Sequence, residues 1–215
     1  MRRADHGSAN AQARTKAGGK GRATARGGAG AVTAEFAMVL VLFLTVVCGV
    51  LELARVIYMF NTLQMVTNRA AALAANTDYS NAAAMSALRQ RAVFRSSPGM
   101  LAMGTPVTDD YVRIDYLSLA TLSPTSPAAG TSFKTASLPA CPANNRGICM
   151  RDPYDESCVR LVRVRICEPS VVGECRNVAY QALFSFIGLP ITLPRATTIV
   201  QAETLGAPPG QAPCP

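Results

Sequence analysis

The chain changes character at Gly30, and that junction constrains what it can fold into. Residues 1–30 carry Arg2, Arg3, Arg14, Lys16, Lys20, Arg22 and Arg26 against a single Asp, with no aromatic and no large aliphatic side chain beyond Met1. Such a segment has too little apolar surface to offset the entropy of ordering it. Beyond the junction, Phe36 to Leu51 is sixteen residues without a charge. Continuing to Phe60 adds only Glu52 and Arg55 and gives twenty-five residues, roughly 37 Å of helix and enough for a tilted bilayer crossing. Lys and Arg beside a span hold that side in the cytoplasm. The tail is therefore expected inside, at the inner (cytoplasmic) membrane, with everything after the span extracytoplasmic.

Charge placement supports a topological role for the tail. The formal net charge is +8. Residues 1–30 hold seven Lys/Arg and one Asp, a net of +6, and the rest hold fourteen Lys/Arg and twelve Asp/Glu, a net of +2. A basic tail can bind nucleic acid. Beside a span, membrane orientation accounts for it, and no nucleic-acid partner is expected.

Three ionisable residues lie in or near the apolar run. Glu35 stands at its mouth, where an unpaired carboxylate costs free energy. Glu52 and Arg55 are spaced i,i+3 and read as an intramembrane pair near the outer interface, with Tyr58 as an interfacial aromatic.

Cysteine and histidine usage narrows the chemistry. Cys48 lies within the apolar run, as a reduced packing residue. Cys141, Cys149, Cys158, Cys167, Cys175 and Cys214 all lie beyond it. Six clustered cysteines in a small extracytoplasmic domain read as a disulfide framework, and no C-x-x-C metal or redox spacing occurs. Cys167 and Cys175 flank a turn between two expected antiparallel strands and are assigned to each other. Cys141 and Cys149 enclose a comparable loop, which leaves Cys158 for Cys214. The sole histidine is His6, so a chain cut after Gly30 has no imidazole for acid–base, nucleophile-pair or metal chemistry. No catalytic constellation, cofactor or metal site is expected, and the chain reads as a non-enzyme.

The remainder reads as α+β. Leu63, Val66, Ala70, Leu73 and Ala74 recur at helical spacing, which extends the first helix beyond the membrane. Residues 76–80 break it, with Ser80 as N-cap of a second helix over 81–94 that ends at Ser96-Ser97-Pro98-Gly99. Strands are expected at Tyr111–Leu117, Cys158–Cys167, Asn177–Phe184 and Ala196–Glu203. Arg163 and Arg165 then share the solvated face, opposite Val162, Val164 and Ile166. Residues 121–147 hold four prolines and many Ser, Thr and Gly, and read as an exposed loop. The domain plan is a basic leader at 1–30, a transmembrane helix at 31–60, a helical extension at 61–95 and a small β-rich domain at 96–215.

Processing separates the functional classes. No small-x-small signal-peptidase site closely follows the run, since Ala72-Leu73-Ala74 is some twenty residues too late, and Val47 before Cys48 fails a lipoprotein signal. An uncleaved anchor stays open. A cut between Gly30 and Ala31 makes Glu35 the fifth residue of a new N-terminus, and this resembles the cleavage site of type IV prepilins. Gly30, Ala34-Glu35-Phe36, the aliphatic run Val39–Leu51 and Glu52-Leu-Ala-Arg55 together resemble a TadE-like pseudopilin of the tight-adherence (Flp) pilus system. Arg69-Ala-Ala-Ala and, loosely, Leu189-Pro190, Leu193, Ala196, Gln201 and Glu203 are similar too. Many members of that family carry a Pro in the run, where this chain has Val41-Leu42.

The resemblance implies a pilin-like N-terminal helix, a small antiparallel sheet domain and a prepilin peptidase as processing partner. It also implies a minor component that works with other pilins and the pilus assembly machinery in assembly or surface adhesion. In such a bundle the new α-amino group of Ala31 can neutralise Glu35 of a neighbour and set register in an otherwise greasy packing, with Phe36 beside it. The competing class is a signal-anchored extracytoplasmic binding or adhesin module outside any pilus. An N-terminus at Ala31 marks the first and one at Met1 the second.

Overall fold

The computed structural model describes residues 28–120, 132–169, 174–184, 190–208, 210 and 212. Residues 1–27 of the leader, residues 121–131 of the expected loop, and Cys214 fall outside these. The chain divides into two units, Met1–Thr45 and Val46–Pro215.

A single helix, α1, runs Gly28–Ala74, and its environment changes along its length. From Val32 to Leu51 every side chain is exposed except Cys48, which is half-buried. From Glu52 onward burial becomes periodic: Glu52, Arg55, Val56, Met59, Leu63, Val66, Ala70 and Ala74 lie on one covered stripe, the pattern of a helix packed on one face. α1 is long and apolar enough to cross a membrane.

In the second unit, α2 spans Ala82–Ala92. Its N-cap is Asn81, whose side chain accepts from the Ala84 amide at 3.0 Å. The expected cap Ser80 instead donates to Asp78, because that carboxylate lies 2.6 Å from the hydroxyl.

Four strands follow: β1 Val112–Ala120, β2 Ser132–Thr135, β3 Leu161–Ile166 and β4 Thr197–Gln201. They form one antiparallel sheet in the order β2-β1-β3-β4. The α+β fold class holds: a long apolar N-terminal helix, a small antiparallel sheet and disulfides. One core joins Val56–Ala74 of α1, Met85 and Leu88 of α2, and the inward residues Val112, Tyr116, Val162, Val164 and Ile166. The end of α1 is fastened by the chain leaving β4, where the Glu203 and Leu205 amides donate to the Ala75 carbonyl. Gly206 permits this approach, since a Cβ there would sit 2.4 Å from the Asp78 nitrogen.

Two expectations about secondary structure fail. Residues 177–184 do not return as a strand beside β3, because β1 and β4 occupy both of its edges. Val178 and Tyr180 pair instead with Leu193 and Ile191. The loop expected over 121–147 contains β2 and a third helix, α3, at Pro142–Arg151. Asn144, Asn145 and Gly147 are weak helix formers that hide this helix from a propensity reading. Pro142 in its first turn is the start signal the composition obscured.

Candidate assembly helix and its clasp

The first described ionisable side chain of α1 is Glu35, which is exposed, and so is Phe36. Gly30 and Ala31 lie in the first turn of α1. Val32 to Leu51 is twenty residues, roughly 30 Å of helix and the thickness of a bilayer hydrocarbon core.

Glu52 ends that stretch and is only 1% exposed. Its carboxylate accepts from the Tyr180 hydroxyl through Oε1 and from the Leu183 amide at 3.1 and 3.2 Å. The expected pairing with Arg55 is present at 3.5 Å. Arg55 reaches further than a simple i,i+3 pair. It donates to the carbonyls of Gln181 at 2.7 Å, Met103 at 3.1 Å and Thr105 at 3.4 Å, and its guanidinium lies 5.2 Å from the Tyr180 ring centre. Tyr58 adds a bond to the Ala102 carbonyl at 3.3 Å. Two turns of α1 thus hold two segments, 102–105 and 180–183, mainly through charged side chains meeting backbone. Such bonds are the stronger kind, and the pair is surrounded by protein. Sequence reasoning found Glu52 and Arg55 but not Tyr180, whose partner lies 128 residues away.

A second ionic group lies on the outer face of the sheet. Asp115 of β1 accepts from Arg113 at 3.2 Å, from Arg163 at 3.2 Å and from Arg165 at 2.6 Å. Burial alone would raise the Asp115 carboxyl pKa; the bonds and charges of Arg165, then Arg163 and Arg113, outweigh it and hold the carboxyl below its usual range. Arg163 and Arg165 do share the face opposite Val162, Val164 and Ile166, but they converge on a carboxylate as well as meeting solvent.

The disulfides confirm one assignment and correct the others. Cys167–Cys175 is present, with Cα atoms 4.9 Å apart. The Glu168 amide donates to the Arg176 carbonyl at 3.2 Å beside the bridge, without the expected strand at 177–184. Cys149 bonds Cys158, not Cys141. Eight residues along α3 separate positions 141 and 149 by about 12 Å, beyond disulfide reach. Asn145, one turn before Cys149, bonds both the amide and the carbonyl of Val159, at 2.8 and 3.0 Å. That grip sets Cys149 against Cys158, so Cys158 cannot join Cys214. Cys141 is also disulfide-bonded, and Cys48 is free. Among the described residues no cluster of three His, Cys, Asp or Glu could hold a metal ion.

Residues 30–72 match the family model described as TadE-like protein. The match takes in Gly30, Glu35-Phe36 and Glu52-x-x-Arg55, the residues that carried the resemblance, and stops before the sheet. No curated protein matches the chain, and neither does any solved structure. The TadE-like stretch therefore coincides with the exposed apolar length of α1 and nearly all of its buried stripe.

Proposed function

We propose that the chain is a minor pseudopilin of a tight-adherence pilus. A prepilin peptidase cuts it after Gly30, and it serves pilus assembly and surface adhesion without catalysing a reaction. The carrying observation is the coincidence of the TadE-like match with a helix that is apolar and exposed for one bilayer thickness, then clasped by a disulfide-bonded domain.

In this reading residues 1–30 are the cytoplasmic leader, Val32–Leu51 lies in the inner membrane, and the unit from Glu52 onward is extracytoplasmic. That shortens the span expected from hydropathy, which ran to residue 60, because Glu52 and Arg55 have protein partners. The partners are the peptidase, other pilins and the assembly machinery. Glu35, with the Ala31 amino group of a neighbour, sets helix register.

N-terminal sequencing of protein extracted from membranes tests the reading. A start at Ala31, together with loss of piliation when the gene is deleted, supports it. A start at Met1 with unaltered pili favours the anchored adhesin module.

A further inference from the structure

Two segments without charge hang on the first turns of α1 beyond its apolar run. Met100–Thr108 and Asn177–Phe184 hold no Asp, Glu, Lys or Arg. The Leu183 amide donates to Glu52, and the Met103 and Thr105 carbonyls accept from Arg55. Each segment nevertheless leaves a large apolar side chain uncovered: Leu183 is 66% exposed and Met103 68%. Met103 sits in a turn closed by the Gly104 amide on the Leu101 carbonyl at 2.9 Å. Its φ is 54°, a conformation that glycine takes freely and a bulky side chain does not. A stable turn does not call for an exposed methionine at that position.

Helix geometry fixes the level of both segments. They belong to the same compact unit as Val46–Leu51, Glu52 and Arg55. Glu52 and Arg55 lie about 1.5 and 6 Å along the helix axis beyond Leu51. Helical side chains lean toward the N-terminus, so both carry their partners back toward the apolar run. A hydrocarbon core of about 30 Å within a bilayer of about 40–45 Å leaves a headgroup layer of about 5–7 Å on each side. With Val32–Leu51 filling the core, both segments fall in that layer. α1 keeps an apolar face there, because Leu53 and Ile57 are exposed. Tyr58, exposed on its ring and bonded through its hydroxyl to the Ala102 carbonyl, has the amphipathic character favoured at this depth.

We infer that Met103 and Leu183 insert into the headgroup–acyl boundary on the extracytoplasmic side of the membrane that α1 crosses. The two tips seat the second unit on lipid and fix the depth of α1. Lipid is the occupant because this surface continues the lipid-facing length of the helix. Between Leu51 and Arg69 the only charges of α1 are Glu52 and Arg55, and both are buried. The exposed apolar surface therefore runs from the span into Leu53, Ile57 and the two tips with no charge of α1 or of either segment exposed between them. The inference rests on the proposed reading that α1 spans a bilayer, and it stands whether or not the chain is cut at Gly30.

The chain has no tryptophan, so a single replacement gives a unique fluorophore. Full-length chain carrying Met103→Trp or Leu183→Trp is reconstituted in vesicles of phosphatidylcholine and phosphatidylglycerol. Each should lose at least half its emission when the acyl chains are brominated near their carbonyl end. Met150→Trp should keep its emission, since that exposed residue of α3 lies at the end of the unit where Glu203 meets Ala75, roughly 34 Å of helix beyond Glu52. Leu42→Trp, in the middle of the apolar run, should be quenched by chains brominated near their middle and reports the span itself. Peptide maps showing Cys149–Cys158 and Cys167–Cys175 report folding of each variant. Benzoylphenylalanine at Met103 or Leu183 in native membranes gives a second measurement and should yield lipid adducts on irradiation. Quenching at Leu42 without quenching at both tips, quenching that extends to Met150, or adducts with a second copy or another protein in place of lipid each overturns the inference and leaves the span standing. No quenching at Leu42 overturns the span and the inference with it.

Discussion

Glu52→Ala should be among the most damaging single substitutions in α1, and the structure sets the scale. The wild-type carboxylate is buried and is met by the Tyr180 hydroxyl, the Leu183 amide and Arg55. Removing it leaves Arg55 buried with only neutral acceptors, the three carbonyls and the Tyr180 hydroxyl, and strips the Tyr180 and Leu183 donors of their acceptor. Breaking one side of a buried pair costs about 3–5 kcal/mol, a large part of the roughly 5–15 kcal/mol that holds a domain. With a urea slope of about 2 kcal/mol per molar, the unfolding midpoint should fall by about 2 M. Full-length protein in detergent, taken through a urea series and scored by protease susceptibility of the second unit, gives the measurement. Leu53→Ala, at an exposed position one residue on, should stay within about 0.5 kcal/mol of wild type. The double variant Glu52→Leu/Arg55→Leu should cost less than the two single changes added together, because each single change strands a buried charge and the double variant strands none. A loss below about 1 kcal/mol for Glu52→Ala, or simple additivity of the pair, would refute the reasoning and return both residues to the lipid interface.

Gly30→Glu should block processing and leave the longer chain in the membrane; maturation at the wild-type size would show the cut lies elsewhere. Glu35→Ala should insert and fold normally, yet lose co-purification with other pilins, and full piliation would remove its register role. Asp115 has a folded pKa below its unfolded value of about 3.9, so its contribution is present above that value and lost as pH falls through the folded one. Asp115→Asn should therefore cost about 1–3 kcal/mol at pH 7, with the gap to wild type closing in acid; a pH-independent gap in denaturant titrations would contradict the ion cluster. Replacing Cys149 and Cys158 together by Ser should cost about 2–3 kcal/mol for a loop this short, and non-reducing peptide mapping of the wild type should link those two cysteines and not Cys141 with Cys149.

Legibility in the sequence followed the range of the interactions. The stripe Leu63, Val66, Ala70 and Ala74 was readable because helical periodicity is local, and β1, β3 and β4 were readable because each carries an alternating or β-branched run of its own. Residues 177–184 look like a strand by composition, yet a strand needs a free edge, and β3 had already given both of its edges away. α3 failed in the opposite direction. Its asparagines are poor helix formers, but Asn145 repays their presence through two bonds to Val159 that no local pattern announces. That grip also decided the disulfide that spacing alone assigned wrongly.

The same contrast explains why the spacing of Glu52 and Arg55 was legible and their partners across the chain were not. Their spacing revealed the pair, while hydropathy extended the apolar segment through them to Phe60, because Val56, Ile57, Met59 and Phe60 are as apolar as anything before them. Those residues divide by face: Val56 and Met59 are buried in the core, whereas Ile57 and Phe60 are exposed. A window average cannot see faces. A lipid-facing helix is apolar all round, as Phe36–Leu51 is apart from Thr45, whereas a helix packed on protein is covered on one stripe. Glu52 is where one pattern gives way to the other. Its carboxylate and the guanidinium of Arg55 do what a junction requires: they fix the protein segments at 102–105 and 180–183 to the first turn past the apolar stretch. A force or rotation applied along α1 would then reach the sheet domain through ionic bonds to backbone rather than through side-chain packing alone.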